Sequence, residues 1–235
     1  MVMAAQPMAP AGFEGLVLTG AICAAAAAAL TLVWLAVMAL VPPPAGGVPA
    51  EIRAIAGRPR LQVLRFGPTT VIALLYVPVW LALAAVLWDR APGAALGAAA
   101  FGLLYTPLCA AGYWLQHTAV TGIAALDGAR PGAAEAAYEV VGFGDRRTSV
   151  TGSLVVLGYT LWGLGGLFAG IGLLAHDGAP ATAAGILFAV TAALAVVGAV
   201  GRAAGSRLLE AGVLASGVAS LGATVAASFV LFGSL

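Results

Sequence analysis

Arg65-Phe-Gly-Pro-Thr-Thr-Val-Ile-Ala-Leu-Leu-Tyr-Val-Pro-Val-Trp-Leu-Ala-Leu-Ala-Ala-Val-Leu-Trp88-Asp89-Arg90 holds 23 uncharged residues, 66–88, between charged ends. A helix needs about 20 mostly apolar residues to cross a bilayer. Five further stretches lack Asp, Glu, Lys and Arg: 15–50, 91–126, 148–176, 178–201 and 211–235, none shorter than the first. The chain is therefore expected to be all-α, a polytopic transmembrane bundle of six helices forming one domain over 1–235. The spans are expected at about 14–40, 69–88, 94–124, 150–174, 180–200 and 210–233.

Composition agrees. Of 235 residues, 62% are hydrophobic and 8% charged, against roughly 25% charged in soluble domains. A net charge of +1 lacks the basic patch that marks nucleic-acid binding. All ten cationic residues are Arg; with no Lys, the chain has no amine for a Schiff base and no lysine phosphate clamp. Arg and Ala in excess without Lys point to a GC-rich bacterial genome. Cys23 and Cys109 stand in apolar stretches without a CxxC, so they read as small hydrophobes and no metal site is expected. The segment Met1–Ala11 lacks the positive start of a signal peptide. The first span is longer than a signal core and reads as permanent.

Nine of the ten arginines fall in alternate gaps. Arg53, Arg58, Arg60 and Arg65 lie in the first, Arg130, Arg146 and Arg147 in the third, Arg202 and Arg207 in the fifth; Arg90 stands alone in the second. Arginine in short loops stays on the cytoplasmic side. That makes 42–67, 126–148 and 201–209 cytoplasmic and turns both termini outward. The expected location is the bacterial inner membrane. Pro42, Pro43 and Pro44 close the first span. In the first loop, Ile52, Ile55, Leu61 and Leu64 alternate with arginines, as in a segment lying on the membrane surface. Around Glu135 and Glu139 the second loop is expected to form a short helix.

Chemistry, if any, would sit on the third span. Tyr105, Cys109, Tyr113, His117 and Thr121 recur every four residues, with Gln116 beside His117, forming one stripe on a helix. Pro107 is expected to kink that helix. Tyr105, Tyr113, Gln116 and His117 are the candidate ligand-binding residues. His117 reads as a proton carrier, an axial ligand or a polar anchor for a head group. The plainer alternative is a hydrogen-bonded interhelical contact. A haem held by His117 and His176 is disfavoured, since the two belong on opposite sides. Glu14 and Glu210 stand at helix starts, where carboxylates favour the dipole. No catalytic residue is assigned and no cofactor is specified.

Small residues form the second pattern. Gly166 and Gly170 on the fourth span, and Gly212, Ser216, Ser220 and Thr224 on the sixth, recur every four residues and read as helix-packing faces of the GxxxG kind. A phosphate loop is not indicated, since a preceding strand and a Lys are missing.

The run Gly158-Tyr-Thr-Leu-Trp-Gly-Leu-Gly-Gly-Leu-Phe-Ala-Gly-Ile-Gly-Leu-Leu174, with Gly185-Ile-Leu-Phe-Ala-Val190, resembles uncharacterised six-helix bacterial integral membrane proteins. The resemblance implies a six-helix bundle and assigns no activity.

The functional expectation is a non-enzymatic membrane protein acting through helix or lipid contacts, as an accessory subunit or a homo-oligomer. Its partners would be membrane lipids and other membrane chains. The alternative is a transport or binding bundle, or a membrane enzyme, for an apolar small molecule or lipid, with its site along the third span.

Overall fold

A computed structural model describes residues 9–42, 44, 46–142 and 149–235, the side chains of Arg207, Leu209 and Glu210 excepted. Pro43, Arg146 and Arg147, most of the segment Met1–Ala11, and the side chains of Arg207 and Glu210 thus lie outside what is described.

The described residues form nine helices and no strand: α1 Glu14–Leu40, α2 Gly47–Gly57, α3 Pro59–Leu87, α4 Pro92–His117, α5 Ala119–Ala125, α6 Pro131–Val141, α7 Val150–Leu174, α8 Ala179–Ala204 and α9 Arg207–Gly233. Six segments are long and apolar enough to cross a membrane: α1, α3, α4 with α5, α7, α8 and α9. Large apolar side chains such as Leu32, Leu96, Ile171, Leu214 and Phe229 face outward. Thr151, Thr191, Ser216 and Thr224 are buried. Water would not tolerate so much exposed apolar surface, whereas hydrocarbon favours polar groups turned inward. The chain is a multi-pass membrane protein.

Three boundaries differ from expectation. The second span begins at Pro59 rather than near residue 69, because Pro59 can open a helix and Arg60 to Arg65 continue its first turns. The third span continues through Pro107 and breaks at Thr118, between α4 and α5. The fifth connection shrinks to Gly205 and Ser206. Gly205 takes φ +73 there, and Ser206 N–H donates to Gly201 O at 2.8 Å, a Schellman-type stop that needs the left-handed conformation glycine adopts freely.

Two compact units share the chain: one of 1–29, 74–107 and 156–235, the other of 30–73 and 108–155. In the first, Trp80, Trp162 and Phe188 form a buried ring cluster with centroids 5.5–5.9 Å apart, extended by Tyr76. Gly102 lies against the Trp80 indole, where a Cβ would overlap the ring. Ala9 N–H donates to Ser234 O at 2.9 Å, and Arg90 pairs with Asp177 at 3.8 Å. In the second unit, Val48, Ile52 and Ile55 of α2 pack on Val120 and Ala124 of α5 and Tyr138 of α6. The helix expected around Glu135 and Glu139 is present as α6; the first loop also folds into a helix, α2, and Ile52 and Ile55 bury their side chains in protein rather than in lipid.

Candidate functional site

The third-span stripe divides between the two units. Tyr105 belongs to the first, buried edge-on to Tyr76 at 5.6 Å and to Tyr159 at 6.1 Å. Tyr113, Gln116 and His117 belong to the second, where Gln116 and His117 take different partners.

Tyr113 is buried and stacked on Phe66 of α3 with centroids 6.5 Å apart. One turn on, His117 Nε2 lies 3.4 Å from the Thr70 hydroxyl, and its ring meets Trp114 edge-on at 4.9 Å. Phe66 and Thr70 are four apart, as are Tyr113 and His117, so two helical rows meet side by side. This is the geometry of an interhelical contact.

Gln116 lies deeper. Gly112, one turn earlier, leaves α7 so near that a Cβ would come 2.8 Å from Val155 Cγ2. Across this close approach Gln116 Nε2 donates to Thr151 Oγ1 at 2.6 Å. Thr151 donates onward to Val141 O at 2.6 Å. Gln62 of α3 donates from Nε2 to the Gln116 backbone oxygen at 3.1 Å. Ser149 caps α7, accepting from Gly152 N–H at 3.1 Å while donating to Gly142 O. Within this network Gln116 Oε1 is buried with no donor among the described residues.

Sequence reasoning missed Gln62, Ser149 and Thr151. A signal was available: the chain has no Asn and three Gln, of which Gln116 lies in an apolar stretch and Gln62 just before one, between Arg60 and Arg65. An amide in hydrocarbon needs a partner, and here one amide side chain reaches the other residue's backbone.

The small-residue faces pack within the chain itself. A Cβ on Gly166 would come 3.1 Å from Phe188, and one on Gly170 2.8 Å from Gly185 O. Gly212 sits equally close to Leu194 O on α8. Ser216, Ser220 and Thr224 are buried and donate to carbonyls of their own helix at 2.7 Å. Thr224 Oγ1 also accepts from the Tyr76 hydroxyl, since its own proton is engaged by Ser220 O. These faces are filled by the chain's own helices.

A cavity of about 440 Å³ opens beside the polar network, lined by residues after α1, by α2 and by the start of α3. Arg53, Arg58 and Arg65 stand on it with Glu51, among Val41, Ile55, Leu61 and Gln62. Arg65 is 8% exposed, with its backbone oxygen accepting from Trp34 Nε1 at 2.9 Å and its guanidinium carbon 5.6 Å from the Phe66 ring centre. Among the described residues, no group of three His, Cys, Asp or Glu is placed to hold a metal.

Comparison with known proteins yields no match among protein families, curated proteins or solved structures. The likeness of 158–190 to uncharacterised six-helix bacterial proteins is thus supported by no family match.

Proposed function

We propose that this is a non-enzymatic protein of the bacterial cytoplasmic membrane, working through its contacts with lipid and neighbouring membrane chains. The observation that carries this reading is how its polar groups are engaged. Gln116 with Thr151, His117 with Thr70, and Tyr76 with Thr224 all join one helix to another. A reaction path needs such groups turned toward a substrate; here they support helix pairing.

The arginine pattern sets the orientation: gaps one, three and five inside, both termini outward. Three contacts support the grouping of gaps by side on which it rests. The α2–α5–α6 cluster joins gaps one and three. The Arg90–Asp177 pair joins gaps two and four. Ala9 bonds Ser234, which puts both on one side, as an even number of crossings requires.

The test uses a chain with Cys23 and Cys109 replaced by Ala and single cysteines introduced as Gly93→Cys or Gly128→Cys. Neither glycine has a neighbour within 4 Å of an added Cβ. An impermeant maleimide on intact cells should label position 93 and spare 128; the reverse would refute the orientation. Mild extraction should recover the protein with bound lipid or another membrane chain. A chain carrying neither would refute the contact role.

A second reading, a binding or transport role for an apolar small molecule or lipid along α4, is favoured by the undonated Gln116 Oε1. A bound molecule with a hydroxyl or N–H would satisfy it. Gln116→Leu should then abolish a co-purifying mass in native mass spectrometry; an unchanged mass would sink this reading.

A further inference from the structure

The cavity beneath the end of α1 has a charge pattern the helix contacts do not explain. Three arginines and one glutamate line it, an excess of two positive charges. Arg53 and Arg58 are exposed, and hydration can offset their charge. Arg65 is buried, its Nε has no acceptor, and no carboxylate among the described residues pairs with it. Burying an unpaired guanidinium is expensive, and the usual remedy is an anion or several hydrogen bonds. The Phe66 ring under Arg65 offsets part of that cost through a cation–π contact and holds the planar group in place.

The walls narrow the choice of anion. An arginine fork binds phosphate and carboxylate oxygens in pairs. A phosphoryl group offers such a cluster more oxygen acceptors than one carboxylate does, and it carries one negative charge as a diester and close to two as a monoester. The volume, about 440 Å³, is that of a small-molecule site. Val41, Ile55 and Leu61 supply an apolar wall beside the cations, suited to the carbon of a phosphate ester.

We propose that this cavity binds one phosphoryl group, with Arg65 as buried anchor and Arg53 and Arg58 as supporting charges. The group comes either from an anionic phospholipid of the cytoplasmic leaflet or from a free phosphate ester. The lipid source rests on the orientation proposed above; the anion site itself does not.

The full chain in detergent is titrated with phosphatidylglycerol, with a galactosyl diacylglycerol of the same acyl chains, and separately with inorganic phosphate and glycerol 3-phosphate. Native mass spectrometry and the thermal midpoint are the readouts. Phosphatidylglycerol should bind at least tenfold more tightly than the galactolipid, and Arg65→Gln should remove the difference. Arg65→Lys should restore part of it. Stabilisation by glycerol 3-phosphate that competes with phosphatidylglycerol would identify a free ester as ligand; binding of the lipid alone would identify the headgroup. Equal binding of both lipids without any phosphate effect overturns the proposal, as does an Arg65→Gln protein that binds like the parent.

Should Arg65→Gln fail to fold, the exposed pair Arg53→Gln/Arg58→Gln takes its place. It should weaken phosphoryl binding severalfold with unchanged helicity, and undiminished binding would again refute the site. Failure of the labelling experiment would leave these detergent measurements unaffected, so the two proposals fall separately.

Discussion

Gln116 and Thr151, 35 residues apart, are joined by a hydrogen bond of 2.6 Å in which the amide donates and the threonine passes its own proton to Val141 O. The bond ties α4 to the start of α7 and to the end of α6. Its two partners are not equivalent. Removing the threonine hydroxyl leaves a buried amide N–H₂ without this acceptor, whereas removing the amide leaves Thr151 still bonded to Val141.

Thr151→Val should therefore cost more than Gln116→Leu. An unsatisfied buried polar group costs about 1–3 kcal/mol, and Gln116→Leu also removes an Oε1 that has no donor. Steric trapping or detergent denaturation of both variants and the double variant measures this. Equal losses would show that the bond is not the organising contact.

Glycine placement gives a second contrast. Gly102 presses on the Trp80 indole, while Gly122 has nothing within 4 Å of an added Cβ. Gly102→Ala should lower stability by about 1–3 kcal/mol through overpacking. Gly122→Ala should leave the thermal midpoint unchanged or slightly raised. A neutral Gly102→Ala would mean that the ring cluster repacks freely.

Tyr76 tests the inner seam of α3 against α9. Its hydroxyl donates to Thr224, 148 residues away. Tyr76→Phe keeps the ring contacts with Trp80, Trp162 and Tyr105 and removes that bond together with the hydroxyl's smaller interaction with Ser220. A loss of about 0.6 kcal/mol is expected, the average for hydrogen bonds between membrane helices. Thr224→Val in the Tyr76→Phe background should cost little more.

His176 lies between α7 and α8, outside the spans, buried with neither ring nitrogen hydrogen-bonded. Burial, and then the nearby Arg90 cation, lower its pKa from 6.5, against an opposing pull from Asp177. The unfolded chain therefore takes up a proton before the folded chain does as pH falls. Stability should drop as pH falls below about 6.5, and level off once the folded imidazole is protonated too. Above that value His176 contributes no slope. Comparing His176→Asn with the parent at about pH 5 and about pH 8 isolates the effect; an unchanged pH slope would contradict it.

The sequence by itself determined the number of helices able to span a membrane, because 20 or so residues without charge admit few alternatives in hydrocarbon. Its arginine gaps carried the expected orientation. Gly166, Gly170, Gly212, Ser216, Ser220 and Thr224 were legible as packing positions, since small residues every four mark a face. Which partner each face meets was not legible, because a helix face records its own shape and not its neighbour. The neighbours of Gly166, Gly170 and Gly212 proved to be Phe188, Gly185 and Leu194 of the same chain. Tertiary structure alone separated Tyr105 from Gln116 and His117, and joined Gln62 to Gln116 across 54 residues. It alone buried Arg65, one of four similar arginines in its loop, beside a cavity while leaving Arg53 and Arg58 exposed. Charge spacing along a chain sets the side of the membrane; only the folding of α2 and α3 decides which arginine loses its water.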